Sequence, residues 1–207
     1  MTNDQTPAAG ASVLVVDDEL AARESLSELL ISLGHVVLDA VANAADAEAR
    51  ARELNPDAVL LDVHLPGASG IEAAQAICRA LPGVAIVLIS GDDTIQLTDA
   101  EAEASGAVAF LIKPVPPRVL DSTIRLAVAR TGALRQARQE AADLKQMLDD
   151  RKLIERAKGI LMRRTGCSEP EAYRILQRSS QDRSKRMVDI AKAVLDSEPG
   201  AAPPLVS

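Results

Sequence analysis

Up to Lys113, short blocks of consecutive apolar residues alternate with stretches in which apolar side chains return every three or four positions. The blocks are "SVLVVD" (12–17), "HVVLDA" (35–40), "PDAVLLD" (56–62), "VAIVLIS" (84–90) and "AVAFLIK" (107–113). Short runs rich in Val, Ile and Leu predict strands of the buried type. The stretches between them predict amphipathic helices over 19–34, 43–55 and 71–81, with Asn43 as an N-cap and Gly34 as a stop signal. Regular alternation of this kind implies an α/β domain: five parallel strands in a doubly wound sheet, covered on both faces.

From Arg118 the pattern changes, and no further strand is predicted. "RVLDSTIRLAVAR" (118–130) predicts the helix that follows the fifth strand. Beyond Gly132, Leu134, Ala141 and Leu148 are seven residues apart, with Ala137 and Leu144 between them at heptad spacing. That seam predicts a short coiled coil over 131–150. Residues 151–197 predict a small all-α unit of three helices. Ile154, Ala157 and Leu161 mark one face of the first. Ser168 and Glu171 form a capping box for the second, with Pro170 in its first turn. Met187, Ile190, Ala191 and Val194 mark the third, over roughly 184–196. The stretches 1–10 and 198–207 read as a disordered leader and tail around the domain at 11–130, the linker helix and the terminal unit.

Composition narrows the function. Phe110 and Tyr173 are the two aromatic residues, so a nucleic-acid module built on many stacking aromatics is excluded. Charge is divided unevenly. Residues 1–129 carry 7 Lys/Arg against 19 Asp/Glu, and residues 130–207 carry 16 against 11. An acidic unit followed by a basic one suggests two different partners. Cys78 and Cys167 lie far apart and match no metal spacing, which reads as reduced thiols in the cytoplasm. The first residues hold no apolar run of the signal-peptide kind, and no run of 18 apolar residues exists, so no membrane association is expected.

Open parallel sheets form their sites beyond the carboxyl ends of the strands. Asp17 and Asp18 fall there, after the first strand. Asp62 ends the third, Ser90 and Gly91 follow the fourth, and Lys113 with Pro114 follows the fifth. Three carboxylates held together need a cation, and an oxygen-preferring one such as Mg²⁺ suits them. An Asp beside Mg²⁺ and a Lys can take up a phosphoryl group: the carboxylate attacks, and the cations neutralise the phosphoryl oxygens. A single Asp after a strand is more simply a turn residue. The whole set on one edge of one sheet is not.

The motifs "VLVVDDE", "LLDVHLPGASG", "LISGD" and "AFLIKP" make residues 12–130 resemble a response-regulator receiver domain, with its flavodoxin-like fold. The resemblance implies Asp62 as phosphoacceptor, with Mg²⁺ bound by Asp18, Asp62 and the backbone carbonyl of His64, and by Asp17 through water. It implies Ser90 as the switch hydroxyl, Phe110 as the switch aromatic, Lys113 as the phosphoryl contact, and a cis peptide before Pro114. Gly91 stands where a small residue such as Ala is frequent. His64 stands where the side chain varies and tunes phosphoryl lifetime. A phosphatase of the haloacid-dehalogenase type would place its acids as D-x-D, whereas here they are adjacent in "VVDDEL".

The terminal unit gathers its positive charge in clusters, and "LIERAKGILMRRTGCSEPEAYRILQRSSQDRSKRMVDIAKAVL" resembles the ANTAR domain of transcription antitermination regulators. Ser180 and Gln181 replace an alanine–methionine pair frequent in that family. The resemblance implies a non-enzymatic regulator that binds stem-loop RNA in nascent transcripts, through Lys158, Arg163, Arg164, Arg174, Arg178 and Arg186. Ala157 and Gly159 read as close-packing positions, and Tyr173 as a base-stacking candidate or a half-buried packing residue. The expected partners are a sensor histidine kinase, stem-loop RNA, and a second copy on activation through Leu134, Ala137, Ala141, Leu144 and Leu148. Three alternatives stay open: a DNA-binding regulator, a pure protein-docking adaptor, and a regulator governed by a ligand-sensing partner.

Overall fold

The computed structural model describes residues 10–67, 69–92 and 104–197. The strands are β1 (Ser12–Val16), β2 (Val36–Val41), β3 (Ala58–Asp62), β4 (Ala85–Ser90) and β5 (Ala109–Ile112). All pairings are parallel, in the order β2-β1-β3-β4-β5. Reversal of strand order at β1 and β3 places a crevice at their carboxyl ends. The helices are α1 (Leu20–Ser32), α2 (Ala44–Leu54), α3 (Gly70–Ala80), α4 (Pro117–Thr165), α5 (Glu169–Asp182) and α6 (Met187–Asp196). The stretch between β4 and β5, where a fifth β–α unit needs its helix, falls largely outside the described residues, as do the expected leader and tail.

Strand alternation sorts the core into two layers. Leu14, Val16, Val59, Leu61, Ile86 and Leu88 face α2 and α3, where Ala47, Ala51, Ala74 and Ile77 meet them. Val13, Val15, Leu60, Val87 and Ile89 face the other way, onto Leu30 of α1 and Leu120 and Ile124 of α4. The three central strands are buried along almost their whole length, as the apolar runs predict. β2 is an edge strand, and its residues are exposed or half-buried.

Two helix ends follow their sequence signals. Asn43 accepts the Asp46 N–H at 2.9 Å and caps α2. Gly34 turns the chain after α1 with φ at 86°, a conformation that favours glycine. There the N–H groups of Gly34 and His35 donate to the carbonyls of Ile31 and Leu30, both at 3.0 Å, closing a Schellman motif.

The helical stretches predicted from Arg118 onward join in one element. Helix α4 runs unbroken for 49 residues. Pro117 opens it, where a missing N–H costs nothing, and no proline or turn sequence follows before Thr165. Gly132 alone, at about 1 kcal/mol relative to Ala, is too weak to stop a helix.

The chain divides into two compact units between Ala137 and Arg138. In the second unit, Ala157 of α4, Leu176 of α5, and Ile190 and Ala191 of α6 form a small core, joined by Ile154, Leu161, Met187 and Val194. The faces of the first and third helices are those predicted from the sequence, and Leu176 adds the face of the second. Ser168 donates both its N–H (2.8 Å) and its hydroxyl (2.7 Å) to the Glu171 carboxylate, fixing the start of α5.

Candidate functional site

At the carboxyl edge of the sheet, the ends of β1, β3 and β5 bring three side chains to one point. Lys113 Nζ donates to Asp17 Oδ2 at 2.6 Å and to Asp62 Oδ2 at 2.5 Å. Asp17 and Asp62 are buried, 0 % and 6 % exposed. Their charges are tolerable because each has partners. The Glu19 N–H donates to Asp17 Oδ1 at 3.0 Å, and the His64 N–H donates to Asp62 Oδ1 at 2.9 Å. For Lys113 itself, burial works to lower the ammonium's pKa. Hydrogen bonds and charge from Asp17 and Asp62 outweigh that, and the group is held above its ordinary value.

The neighbouring strand ends complete the edge. Ser90 is buried, and its Oγ accepts the Asp92 N–H at 3.0 Å. The Lys113 N–H donates to the Ser90 carbonyl at 2.7 Å, which ties β5 to β4 at the site. The Lys113–Pro114 peptide is cis. Phe110 is half-buried against the α2–α3 side of the core. Gly91 is exposed, with open space where a Cβ would stand. His64 is also exposed, and its recorded link to the site is its backbone N–H.

The third carboxylate of the predicted acidic set lies at the mouth of the same edge, directly after Asp17. Asp18 is exposed. Its neighbour Asp17, the residue expected to act only through water, is the one that converges with Asp62. Among the described residues, no three His, Cys, Asp or Glu side chains are grouped to hold a metal ion. The donor set nevertheless fits Mg²⁺. Two buried carboxylates already share one cationic point, and Mg²⁺ is commonly held by one or two carboxylates with water and phosphate oxygens completing its shell.

Two residues that pattern reading passed over shape this edge. Arg23 of α1 donates from Nη1 to the Asp17 carbonyl at 2.6 Å, holding the turn that presents Asp17. Gly70 begins α3 so close to the end of β3 that a Cβ would fall 2.0 Å from the Asp62 carbonyl oxygen. The Gly70 N–H donates to the Val63 carbonyl at 2.9 Å. The glycine that closes "LPGASG" was the available signal, whereas one Arg in an amphipathic helix gives none.

The terminal unit separates its basic residues into two kinds. Arg163, Arg164, Arg174, Arg178 and Arg186 are exposed. Arg164 Nη1 donates to Ser197 Oγ at 3.1 Å, and Arg186 Nε lies 3.6 Å from Asp189 Oδ2, a loose surface pair. Lys158 departs from the expectation. It is only 7 % exposed, and its Nζ donates to Glu155 Oε1 at 2.9 Å and to Glu169 Oε1 at 2.7 Å. Those bonds to Glu155 and Glu169 hold its pKa above the ordinary lysine value, against a smaller effect of burial. A buried ammonium bound to two carboxylates clamps α4 to α5 and is poorly placed for a phosphate. Along α4, the heptad residues Leu134, Ala137, Ala141, Leu144 and Leu148 are exposed. No described helix is long and apolar enough to cross a membrane.

Comparison with known proteins agrees with this division. Residues 13–125 match the model of the response regulator receiver domain, and residues 142–195 match that of the ANTAR domain. The transcriptional regulatory protein PdtaR of Mycobacterium tuberculosis is 34% identical over 198 residues, 95% of each chain. The signal receiver domain of a modulated diguanylate cyclase from Desulfovibrio desulfuricans is 30% identical, with a TM-score of 0.54, covering 59% of this chain and 96% of its own. A CheX–CheY–BeF3–Mg²⁺ complex from Borrelia burgdorferi is 25% identical with a TM-score of 0.50, covering 55% and 85%. With its sheet edge, its basic three-helix unit and a relative matched along nearly its whole length, the chain belongs to the response regulators that join an N-terminal receiver domain to a C-terminal ANTAR domain.

Proposed function

We propose that this regulator is switched by phosphorylation of Asp62 and that its terminal unit binds stem-loop RNA in nascent transcripts, promoting antitermination. The observation that carries the reading is the convergence of Asp17, Asp62 and Lys113 on one point. The Asp62 carboxylate attacks the phosphorus of a phosphohistidine on a sensor kinase. The bond from phosphorus to the histidine nitrogen breaks, and an acyl phosphate remains on Asp62. Asp18 and Asp62 would hold Mg²⁺ with the His64 carbonyl as a further oxygen donor, and Asp17 would act through water. When bound, the ion supplies positive charge that neutralises phosphoryl oxygens.

Lys113 is positioned to leave Asp17 and pair with a phosphoryl oxygen, since its ammonium already touches the acceptor. The Ser90 hydroxyl would exchange its turn partner Asp92 for the phosphoryl group, and Phe110 would follow inward with β5. The exposed apolar seam on α4 is the surface for a second copy of the chain. A dimer presents two basic units to two RNA loops at once and gains from effective concentration. Arg163, Arg164, Arg174, Arg178 and Arg186 are the proposed RNA contacts, with Lys158 serving the fold of the unit.

The test is an electrophoretic mobility shift of the full chain. Tandem stem-loop RNA is compared with duplex DNA of matched length, with and without Mg²⁺ and a small phosphodonor. RNA-selective binding that strengthens on phosphorylation is the expected result. Equal, salt-sensitive binding to both polymers, indifferent to phosphodonor, sinks the RNA reading. Preference for the DNA would favour a DNA-binding regulator instead.

A further inference from the structure

We infer that Tyr173 is the stacking platform for one unpaired nucleobase, with Arg174 and Arg178 holding the phosphate backbone next to it. The inference rests on the RNA-binding reading above and names a site within it.

Tyr173 lies on α5 between residues that behave differently. Ala172 and Leu176 are fully buried in the three-helix core, while Tyr173 is 44 % exposed. Its ring borders an open hollow whose other walls are Lys158, Glu169, Pro170 and Arg174. A second hollow abuts the first. It is lined by Thr165, Gly166, Cys167, Glu171, Ile175 and Arg178, and again by Arg174. Arg174 is therefore the wall the two share. Its Nε donates to the Pro170 carbonyl at 3.3 Å, which holds the guanidinium stem at the Tyr173 side and uses one of its five N–H donors.

The charges of the two hollows differ, and that difference selects their occupants. In the first, Lys158 is balanced by Glu155 and Glu169, and the remaining surface is an aromatic ring, a proline and the shared Arg174. An uncharged, flat group fits there better than a phosphate. In the second, two arginines one helical turn apart face a single carboxylate, Glu171, which already accepts twice from Ser168. A phosphate fits there. A base and its neighbouring phosphate are the two parts of one nucleotide, and bases stack on aromatic faces with little dependence on sequence. A duplex keeps its bases stacked inside, so the occupant must come from a loop or a bulge.

The experiment uses the full chain and its Tyr173→Ala, Tyr173→Leu and Tyr173→Phe variants. Each is titrated into a stem-loop RNA carrying 2-aminopurine in its loop, and into fully paired RNA of equal length. Tyr173→Leu keeps a side chain able to pack but removes the π-face, and circular dichroism checks that each variant is folded. The expected result is a loss of loop-RNA affinity of about tenfold or more in the Ala and Leu variants, with Phe close to wild type. Affinity for paired RNA stays unchanged throughout. The 2-aminopurine signal responds to wild type and Phe and not to Leu. Wild-type affinity and signal in the Leu variant overturn the platform and leave the RNA reading standing. A wild-type chain that does not prefer RNA to duplex DNA removes both.

Discussion

The ammonium of Lys158 lies 2.7 Å from a carboxylate oxygen of Glu169, across the turn that joins α4 to α5. Glu155, one turn back along α4, holds the same nitrogen. Lys158 therefore contributes to the terminal unit by fixing the angle between two helices. Lys158→Met should lower the melting temperature of the terminal unit while leaving the salt dependence of RNA binding near that of wild type. Arg178→Ala should do the reverse, with an unchanged melting temperature and a slope of log affinity against log salt reduced by about one. Thermal melts and binding isotherms at several salt concentrations separate the two. An unchanged melt together with a reduced slope in Lys158→Met would return that residue to the RNA surface.

Lys113 holds two buried carboxylates together, so its removal should show first as instability. In Lys113→Ala, Asp17 and Asp62 face each other without their cation, and the loss should be about 2–3 kcal/mol, toward the low side for a broken buried pair because Lys113 is itself partly exposed. Mg²⁺ should then raise the melting temperature of Lys113→Ala more than that of wild type, because the ion replaces the missing charge. Urea melts with and without Mg²⁺ measure both effects. If Mg²⁺ protects neither protein, the two carboxylates are not a cation site.

Arg23 offers a finer probe of the same edge. Its guanidinium holds the carbonyl of Asp17 rather than the carboxylate, so it sets the position of the acid without touching the acceptor. Arg23→Ala should leave the fold intact, at a cost of about 1.5–3 kcal/mol for a hydrogen bond to a charged group. It should also raise the Mg²⁺ concentration needed for half-maximal phosphorylation by a small phosphodonor, and Arg23→Lys should restore part of the effect. A shift in stability alone, with the Mg²⁺ dependence unmoved, would leave Arg23 a structural residue.

How far the sequence determined these features can be judged residue by residue. The buried strands were legible because Val, Ile and Leu in short runs have few other stable arrangements, and the ends of those runs placed Asp17, Asp62, Ser90 and Lys113 on one edge. The faces of the first and third terminal helices were legible because Ile154, Ala157 and Leu161, and Met187, Ile190, Ala191 and Val194, recur at helical spacing. Partnerships were not. "VVDDEL" gives no sign of which aspartate turns inward, because that depends on the turn held by Arg23. "ERAKGIL" gives no sign that Lys158 is buried, because Glu169 becomes its neighbour only when the Gly166 turn folds α5 back. Helical character from Arg118 to Leu161 was legible, but that these stretches join in one helix was not, because periodicity marks faces and not the junctions between them.

Acid and alkali should strain different parts of the molecule. Glu169 has its pKa lowered by its hydrogen bond to Lys158 and by that residue's charge, and Glu171 has its pKa lowered by its hydrogen bonds from Ser168. A carboxylate held below its ordinary value of 4.5 contributes stability that is present above that value and lost as pH falls through its folded pKa. The terminal unit should therefore loosen below about pH 4.5, and Tyr173, the chain's one tyrosine, reports on it by fluorescence. Lys113 behaves in the opposite sense. Its raised pKa contributes stability that is fully present below 10.5 and lost as pH rises beyond it, so the receiver domain should hold through neutral pH and weaken in strong alkali. Circular dichroism follows that limb, since the tyrosine itself ionises there. In Glu169→Gln the acid limb should become shallower. An identical acid limb in that variant would mean that the Lys158–Glu169 bond contributes nothing to the acid stability of the terminal unit.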